Sequence, residues 1–441
     1  MSKQAESETF DPVDLFPDAT EMDLRPGVDK CDKNSNCETV CPVAEVNEDF
    51  PGPKFQGPEQ WRLTRKGDIE FDESVDKCLN CMRCDTACTN DVPLGQMHNV
   101  ARANYVDNQM SHASREFLRN KMLANYGTLG KLGSMMPRIS NAVFGLGATR
   151  WLNEKLLGFP SERSFPDFAT QTFRGWWSDR GGDATSAERA REAREARGET
   201  GEDKKVAFFH GCYANYHQTE VAKSMVRLYE SLGYEIAVPE QSCCGTPMFA
   251  NGMLEDARGV AEGNVDTFGA LVEDGYDLIA TCTSCSMALR KEYPELFDID
   301  GVDEVAAHMF DAVEYLRVNE DLEAELAGAD VDFPAMTYHA PCHGEVMGVE
   351  GIVTELLADV DGVELDDTGD VCCGLAGTYG WKDEKYDDSM EIGAEMFEAF
   401  EEAPGEVALT ECPMCSAQIE HGTGYEVKHP MQLLETALVE S

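Results

Sequence analysis

Basic side chains are scarce: 36 lysines and arginines stand against 83 aspartates and glutamates in 441 residues, a net charge of −47. Such a chain repels phosphate backbones, so no nucleic-acid partner is expected. The acidity runs along most of the length. It reads as a whole surface adapted to a salt-rich cytoplasm, where screening blunts self-repulsion, and a halophilic source is expected. Long apolar runs are missing too. No stretch of 18 apolar residues occurs, so no membrane-spanning helix is expected. Residues 1–30 are polar and acidic without an apolar centre; they read as an acidic tail and not as a secretory leader. Neither a P-loop nor a Gly-x-Gly-x-x-Gly between strand and helix is present, and Gly145-Leu-Gly147-Ala-Thr-Arg150 lacks the third glycine. The chain is therefore not expected to hold a flavin or nicotinamide, or to oxidise an organic substrate by itself.

Cysteine, by contrast, is abundant, with 17 residues. Without an export signal, metal binding is the expected use rather than a disulfide framework. Five positions recur as a set: Cys212, Cys243, Cys244, Cys282 and Cys285, then Cys342, Cys372, Cys373, Cys412 and Cys415, at offsets of 130, 129, 129, 130 and 130. This is a duplicated domain, too long in period for a solenoid. Adjacent cysteines make poor disulfide partners, and five thiolates exceed the four a structural zinc accepts. Each set is expected to hold an iron–sulfur cluster.

Around the cysteines, short apolar runs alternate with amphipathic helical patterns such as Glu220–Leu232 and Asp387–Phe400. The runs are Val206–Phe209, Ile236–Val238 and Asp277–Thr281, then Met336–Tyr338, Val363–Leu365 and Val407–Leu409. Alternating strands and helices predict two parallel-sheet α/β domains, 206–330 and 331–441. Loops at the carboxyl ends of the strands would then gather all five cysteines of a repeat at one point. His210, His339 and His343 flank these cysteines, either to tune a cluster or simply as buried rings satisfied by backbone.

The remaining seven cysteines lie in 31–110. Cys78-Leu-Asn-Cys81-Met-Arg-Cys84-Asp-Thr-Ala-Cys88 has the C-x2-C-x2-C-x3-C spacing of a bacterial ferredoxin, whose fourth cysteine crosses to the other cluster. Zinc sites more usually show two separated Cys pairs. Upstream, Cys31-Asp-Lys-Asn34-Ser-Asn-Cys37-Glu-Thr-Val-Cys41-Pro42 is a degraded partner with Asn34 at the second cysteine position. The crossover rule assigns a cubane 4Fe–4S cluster to Cys41, Cys78, Cys81 and Cys84. Cys31, Cys37 and Cys88 are left for a second centre: 3Fe–4S, 4Fe–4S with Asn34 or Asp32 as a further ligand, or none. Between the runs, Phe50-Pro-Gly-Pro-Lys-Phe-Gln-Gly-Pro58 reads as a turn-rich loop around the clusters that cannot be helix, and a helix is expected from Leu94 to Asn104.

In residues 111–178 the balance inverts. Arg115, Arg119, Lys121, Lys131, Arg138, Arg150 and Lys155 face only Glu116 and Glu154 within 111–160, where the composition is apolar and rich in Gly and Met. This suits helices lying on an anionic membrane surface with Trp151 near the headgroups, or a helical cover over the ferredoxin module. Trp176 and Trp177 fit either role. Residues 179–205, with Glu188–Arg197 charged all round, read as an exposed helix or linker and a domain boundary.

A ferredoxin module followed by two Cys-Cys-Gly domains resembles a group of iron–sulfur subunits, those of anaerobic glycerol-3-phosphate dehydrogenase, glycolate and lactate oxidases, and heterodisulfide reductase. The words Phe50–Pro58, His210-Gly-Cys-Tyr-Ala-Asn-Tyr216, Cys243-Cys-Gly-Thr-Pro247, Ala250-Asn-Gly252, Ala288–Pro294, Cys372–Gly380 and His429-Pro430 are most similar to the iron–sulfur (C) subunit of the first. The resemblance implies an electron-transfer subunit that takes electrons from an FAD-dependent dehydrogenase subunit and delivers them to membrane quinone. It further implies a peripheral position on the cytoplasmic side of the cell membrane. Non-cubane 4Fe–4S clusters on all five cysteines occur in the heterodisulfide reductase relatives; whether each repeat here holds a cubane or non-cubane cluster stays open. A lactate or glycolate oxidase subunit, a disulfide reductase in its own right, and an assembly protein with vestigial clusters are the competing functions. The expected fold is α+β: a helical ferredoxin-like domain, then two α/β Cys-Cys-Gly domains.

Overall fold

Each cysteine repeat folds around four parallel strands in a computed structural model that describes residues 25–64, 70–201, 203–326, 329, 333–358, 360, 362–405 and 407–440. The first sheet comprises β1 (Lys204–Phe208), β2 (Tyr234–Ala237), β3 (Asp277–Ala280) and β4 (Met309–Asp311), in the order β2-β1-β3-β4. The second repeats it with β5 (Met336–Tyr338), β6 (Leu365–Asp367), β7 (Val407–Leu409) and β8 (Glu426–Lys428), ordered β6-β5-β7-β8. Every pairing is parallel. The central strands announce themselves as apolar runs because both their faces are covered. The edges of the second sheet do not: β6 begins two residues later than the Val363–Leu365 reading, β8 carries no apolar run, and Asp366, Asp367 and Glu426 are exposed.

Most of the acidic tail read at 1–30 lies outside the described residues; its end, Arg25–Lys30, is helical and buries Val28. The Phe50–Pro58 segment corrects the loop reading. Phe55–Glu59 is a wide helical turn continued by Gln60–Thr64, with Pro58 inside. Gly57 breaks the helical geometry there (φ −92°, ψ −107°), which lets a proline sit where a regular helix would reject it. Helix α1 (Leu94–Asn108) follows the second cysteine run and is buried along most of its length. The basic segment forms α2 (Arg115–Ala124), α3 (Tyr126–Gly133), α4 (Pro137–Gly145) and α5 (Gly147–Leu157). Then come α6 (Phe173–Asp179) and α7 (Gly182–Arg197).

Where the charge pattern reads an exposed helix or a linker, α7 is a helix, and it packs on the first sheet. Its short residues Ser186 and Ala190 are fully buried, and Ser186 Oγ accepts a hydrogen bond from the Ile236 amide at 3.1 Å. An edge strand leaves backbone donors unpaired, and a small polar residue on a covering helix satisfies one of them. Trp176 and Trp177 belong to the same cover: Trp177 is buried and donates Nε1–H to Asp183 at 2.9 Å.

Side chains alternate across β1 and β3. Ala207 and Leu278 face α9 (Leu254–Glu273), while Val206, Phe208 and Ile279 face α8 (Thr219–Ser231). Helix α9 buries Leu254, Ala257, Ala261, Val265, Phe268 and Val272, one stripe at i, i+3/i+4 spacing. The α8 core continues into the second repeat through Met336, Tyr338, Val407 and Leu409, and through Met431, Leu433 and Leu434 of α10 (Pro430–Glu435). The two repeats thus share one core. Under α6, Arg180 meets Glu230 through two contacts of 2.7 Å with both side chains buried, and its guanidinium lies over Trp176 and Trp177. Removing one partner strands the other charge, so Glu230→Ala should cost about 3–5 kcal/mol, whereas an apolar replacement of both should cost far less. Thermal unfolding of the three proteins checks this: equal midpoints for the single and double variants would contradict it.

Candidate metal centres

Strand ends position the cysteines as the topology requires. Cys212 follows β1, Cys243 and Cys244 follow β2, and Cys282 and Cys285 follow β3; Cys342, Cys372 with Cys373, and Cys412 with Cys415 follow β5, β6 and β7 in the same way. All five cysteines of the first repeat line one cavity of about 110 Å³, and all five of the second line another of about 40 Å³. In the second, Cys342 and Cys372 Sγ lie 3.9 Å apart and Cys415 and Cys373 Sγ 3.4 Å. The glycine of the Cys-Cys-Gly word has a steric reason. Gly374 has φ +78°, and a Cβ there would stand 2.1 Å from the Ser389 carbonyl oxygen, while its amide points at Cys372 Sγ at 3.4 Å.

In the dicluster region, Cys41, Cys78, Cys81 and Cys84 line a third cavity, of about 20 Å³, together with Phe50, Pro53 and His98. The Phe50–Pro58 segment therefore does border the cysteines. His98 escapes any local pattern, standing ten residues beyond Cys88 on α1. It is buried, with Nδ1 3.6 Å from Cys78 Sγ and Nε2 3.1 Å from the Pro53 carbonyl. Arg102, also buried, donates to the Cys78 carbonyl at 2.8 Å. Burial disfavours the Cys78 thiolate, but His98 and then Arg102 outweigh it and bring the thiol down to about 6.

The two ferredoxin-type runs share a backbone signature. In the intact run Asn80 and Met82 have positive φ (62° and 59°); at the matching positions of the degraded run, Lys33 and Ser35 do the same (67° each). Such conformations are costly for non-glycine residues, so the loop that wraps a cluster is preserved despite Asn34. Asn34 itself is committed elsewhere, its Oδ1 accepting from the Asn36 amide at 3.0 Å and its Nδ2 reaching Thr89 at 3.3 Å. Asp32 accepts from the Asn34 amide at 3.1 Å. Cys31 and Cys88 both lie beside Cys37, whose thiol is pushed up to about 11 by burial, then by Glu38 and these two thiols.

Elsewhere the thiols crowd likewise. Burial pushes Cys41 up to about 12, and contact with Cys243 followed by burial does the same for Cys244. Sulfurs packed together in a low dielectric cannot all ionise unaided; iron resolves the conflict by binding the thiolates, so the donor sets fit iron–sulfur clusters. Of the flanking histidines, His210 and His343 bond backbone carbonyls, Gly211 at 2.6 Å and Asn80 at 3.2 Å. His339 differs. Its Nδ1 meets Thr368 Oγ1 at 3.1 Å, and one of its ring nitrogens lies within 4.8 Å of Cys373 and Cys415 Sγ.

The cavities adjoin in a definite order. Leu79, Asn80 and Cys81 line both the dicluster cavity and that of the second repeat; Thr246, Ser284, Gly377 and Met414 line both repeat cavities. Among the described residues, none lines both the dicluster cavity and the first repeat's.

Fold and sites together define a multi-centre iron–sulfur protein built from a dicluster module and two cysteine-rich α/β domains. Residues 27–92 match the 4Fe-4S dicluster domain family, and residues 206–290 and 336–420 the cysteine-rich domain family. Over 414 residues the chain is 34% identical to the C subunit of anaerobic glycerol-3-phosphate dehydrogenase from Escherichia coli strain K12, covering 93% of this chain and 98% of that one. It belongs to that family. Lactate utilization protein A of an Exiguobacterium strain is 33% identical over 207 residues (43% of this chain, 83% of that protein). The B subunit of fumarate reductase (CoM/CoB) from Methanothermobacter marburgensis is 29% identical over 251 residues (53% and 46%).

Burial lowers the pKa of the His98 ring, but the Cys78 sulfur beside it outweighs that and raises it, and positive charge beside a cluster sulfur favours the reduced, more negative state. His98→Gln should therefore lower the midpoint potential of the centre in the Cys41/Cys78/Cys81/Cys84 cavity by on the order of 60 mV, a tenfold shift for one electron. An EPR-monitored redox titration checks this; an unchanged potential would mean that the ring does not act on the cluster.

Proposed function

We propose that this chain is the electron-transfer subunit of an FAD-dependent glycerol-3-phosphate dehydrogenase complex and delivers electrons to membrane quinone. The observation that carries the reading is the ordered row of adjoining cysteine cavities, from dicluster module to second repeat to first repeat. When bound, the clusters would supply one-electron redox steps. The protein's own part is to hold seventeen thiolates in register, to keep water away and to set charge around each site. The ligand sets are Cys41, Cys78, Cys81 and Cys84 for a cubane cluster, Cys31, Cys37 and Cys88 for its partner, and the five cysteines of each repeat for one cluster apiece. A flavin-bearing subunit is the donor.

The partner centre is read as 3Fe–4S. Its loop geometry is kept, three thiols are present, and the side chains of Asn34 and Asp32 are engaged in hydrogen bonds of their own. Asn34→Cys should then convert the signal of an oxidised 3Fe–4S centre into that of a reducible 4Fe–4S centre. EPR of the anaerobically purified protein reads this, and a wild type without any such oxidised signal would refute the assignment.

Peripheral attachment to the cytoplasmic face of the membrane is supported by the surface of α2–α5. Among the described residues, ten of the 13 exposed large apolar side chains lie between Leu118 and Leu156, with Met135 at 73% and Trp151 at 58% exposure. Arg119 and Lys121 are paired with Glu384 and Asp256, but Lys131 and Arg138 have no ion pair among the described residues. An apolar face flanked by such cations, in a chain otherwise strongly acidic, suits an anionic lipid surface. No helix among the described residues is long and apolar enough to cross a membrane. The net charge of −47 supports a salt-rich cytoplasm as the working environment.

The deciding experiment uses the native complex, isolated anaerobically in high salt through a tag on this chain. Glycerol-3-phosphate should bleach the iron–sulfur absorbance, while lactate and glycolate should not. Bleaching by a 2-hydroxy acid instead would move the chain to a sister complex. Intact clusters that no donor bleaches would overturn the reading in favour of a disulfide reductase.

A further inference from the structure

We propose that the part of the first repeat's cavity walled by Leu123, Tyr126, Phe165 and Trp381, beside the space where Cys212, Cys243, Cys244, Cys282 and Cys285 would hold their cluster, is the binding site for a quinone ring, so that the first repeat, although it comes earlier in the chain, is the exit of the electron path. This rests on the electron-transfer reading above and gives its acceptor a place.

The argument starts from an asymmetry. Both repeats present the same five cysteines, yet the first encloses about 110 Å³ and the second about 40 Å³. The additional walls come largely from outside the first repeat: Leu123 of α2, Tyr126 of α3, Phe165, and Trp381 of the second repeat. Phe165 and Trp381 stack at 5.5 Å with planes 5° apart, and Tyr126 lies against Tyr213 at 6.2 Å and 23°. The Tyr126 ring is fixed. Its hydroxyl donates to His217 Nε2, while His217 Nδ1–H donates to the Asp167 carbonyl at 2.9 Å. Tyr126 is thus a positioning residue, held as a wall.

Charge decides the class of ligand. Among the described residues, no Asp, Glu, Lys or Arg lines this cavity. An anionic disulfide or a phosphate-bearing acceptor would bury its charge without a partner, whereas a neutral planar ring meets apolar and aromatic surface. The same two helices that wall the cavity turn Leu118 and Leu132 outward on the exposed apolar face, where a lipid-soluble tail would run. A polar cavity of about 210 Å³, lined by Ser416, Glu420 and Lys428, shares Gln218, Val221 and Pro413 with the apolar one. The balance of the step is then complete. The quinone takes two electrons, one at a time, that originate in substrate oxidation at the donor subunit, and two protons from solvent in the polar cavity, and leaves as quinol.

The test uses the whole complex and 2-heptyl-4-hydroxyquinoline N-oxide, a fluorescent quinone-site ligand, as probe. The wild type should quench one probe per chain, and the probe should shift the EPR signal of the first repeat's centre. Leu123→Trp, which fills the slot, should weaken probe binding at least about tenfold and slow reoxidation of reduced clusters by menadione, with iron content and dithionite bleaching unchanged. Tyr126→Phe, which keeps the ring but frees it from His217, should raise the KM for quinone several-fold more than it changes kcat. If menadione reoxidises wild type and both variants alike and probe binding is unaltered, the site lies elsewhere and only this inference fails. If no quinone reoxidises the wild type, the quinone reading falls with it. Reoxidation by an anionic disulfide in place of quinone would overturn the assignment of ligand class.

Discussion

Everything in this protein depends on holding many thiolates close together away from water. Sulfurs crowded in a buried site repel one another once ionised, and burial alone pushes Cys41 and its neighbours toward the neutral thiol. The fold cannot remove that conflict; it can only prepare a place where iron does. Strand ends bring the sulfurs together, Gly374 allows the backbone to pass close by, and left-handed residues curl the dicluster loops. His98 and Arg102 add positive charge where it stabilises the Cys78 thiolate.

Duplication supplied two copies of one site, and packing made them unequal. The second repeat meets the dicluster module through Leu79, Asn80 and Cys81, and its five cysteines are all buried. In the first repeat Cys212, Cys243 and Cys282 are only half-buried, beside a slot walled by α2, α3 and Trp381. Identical ligands thus acquire different surroundings: one set of sulfurs is wholly buried against the dicluster module, and the other borders a wider apolar slot. The basic segment joins this slot to the outside. Leu123 and Phe159 of that segment lie in the core of the second repeat, while Met135, Ile139 and Trp151 are exposed.

Much of this was legible from spacing. The five-fold recurrence of cysteines, the ferredoxin-type run and the apolar runs of β1, β3, β5 and β7 are local patterns, and they placed the sheets correctly; the family came from the resemblance of the longer words around the cysteines. Local signals failed where a residue answers to a distant one. Residues 179–205 read equally as an exposed helix or a linker because α7, which is a mostly exposed helix, buries only Ser186 and Ala190, too few and too small to make an apolar stripe that would show its packing on the sheet. The Phe50–Pro58 segment looks like a loop because Pro58 and Gly57 are helix breakers, and only Gly57's unusual geometry lets the turn wind on. Nothing near His98 marks it.

Which residues offer thiols, and which strands carry them, follows from the order of amino acids alone, since side-chain chemistry and strand periodicity are both properties of short stretches. The order in which the sites adjoin does not follow from it and came only with the packed fold. Counted by shared cavity walls, that order runs dicluster, second repeat, first repeat, against the order of the chain, although the dicluster module and the first repeat also share one apolar core, because walls are set by which surfaces meet and not by distance along the backbone.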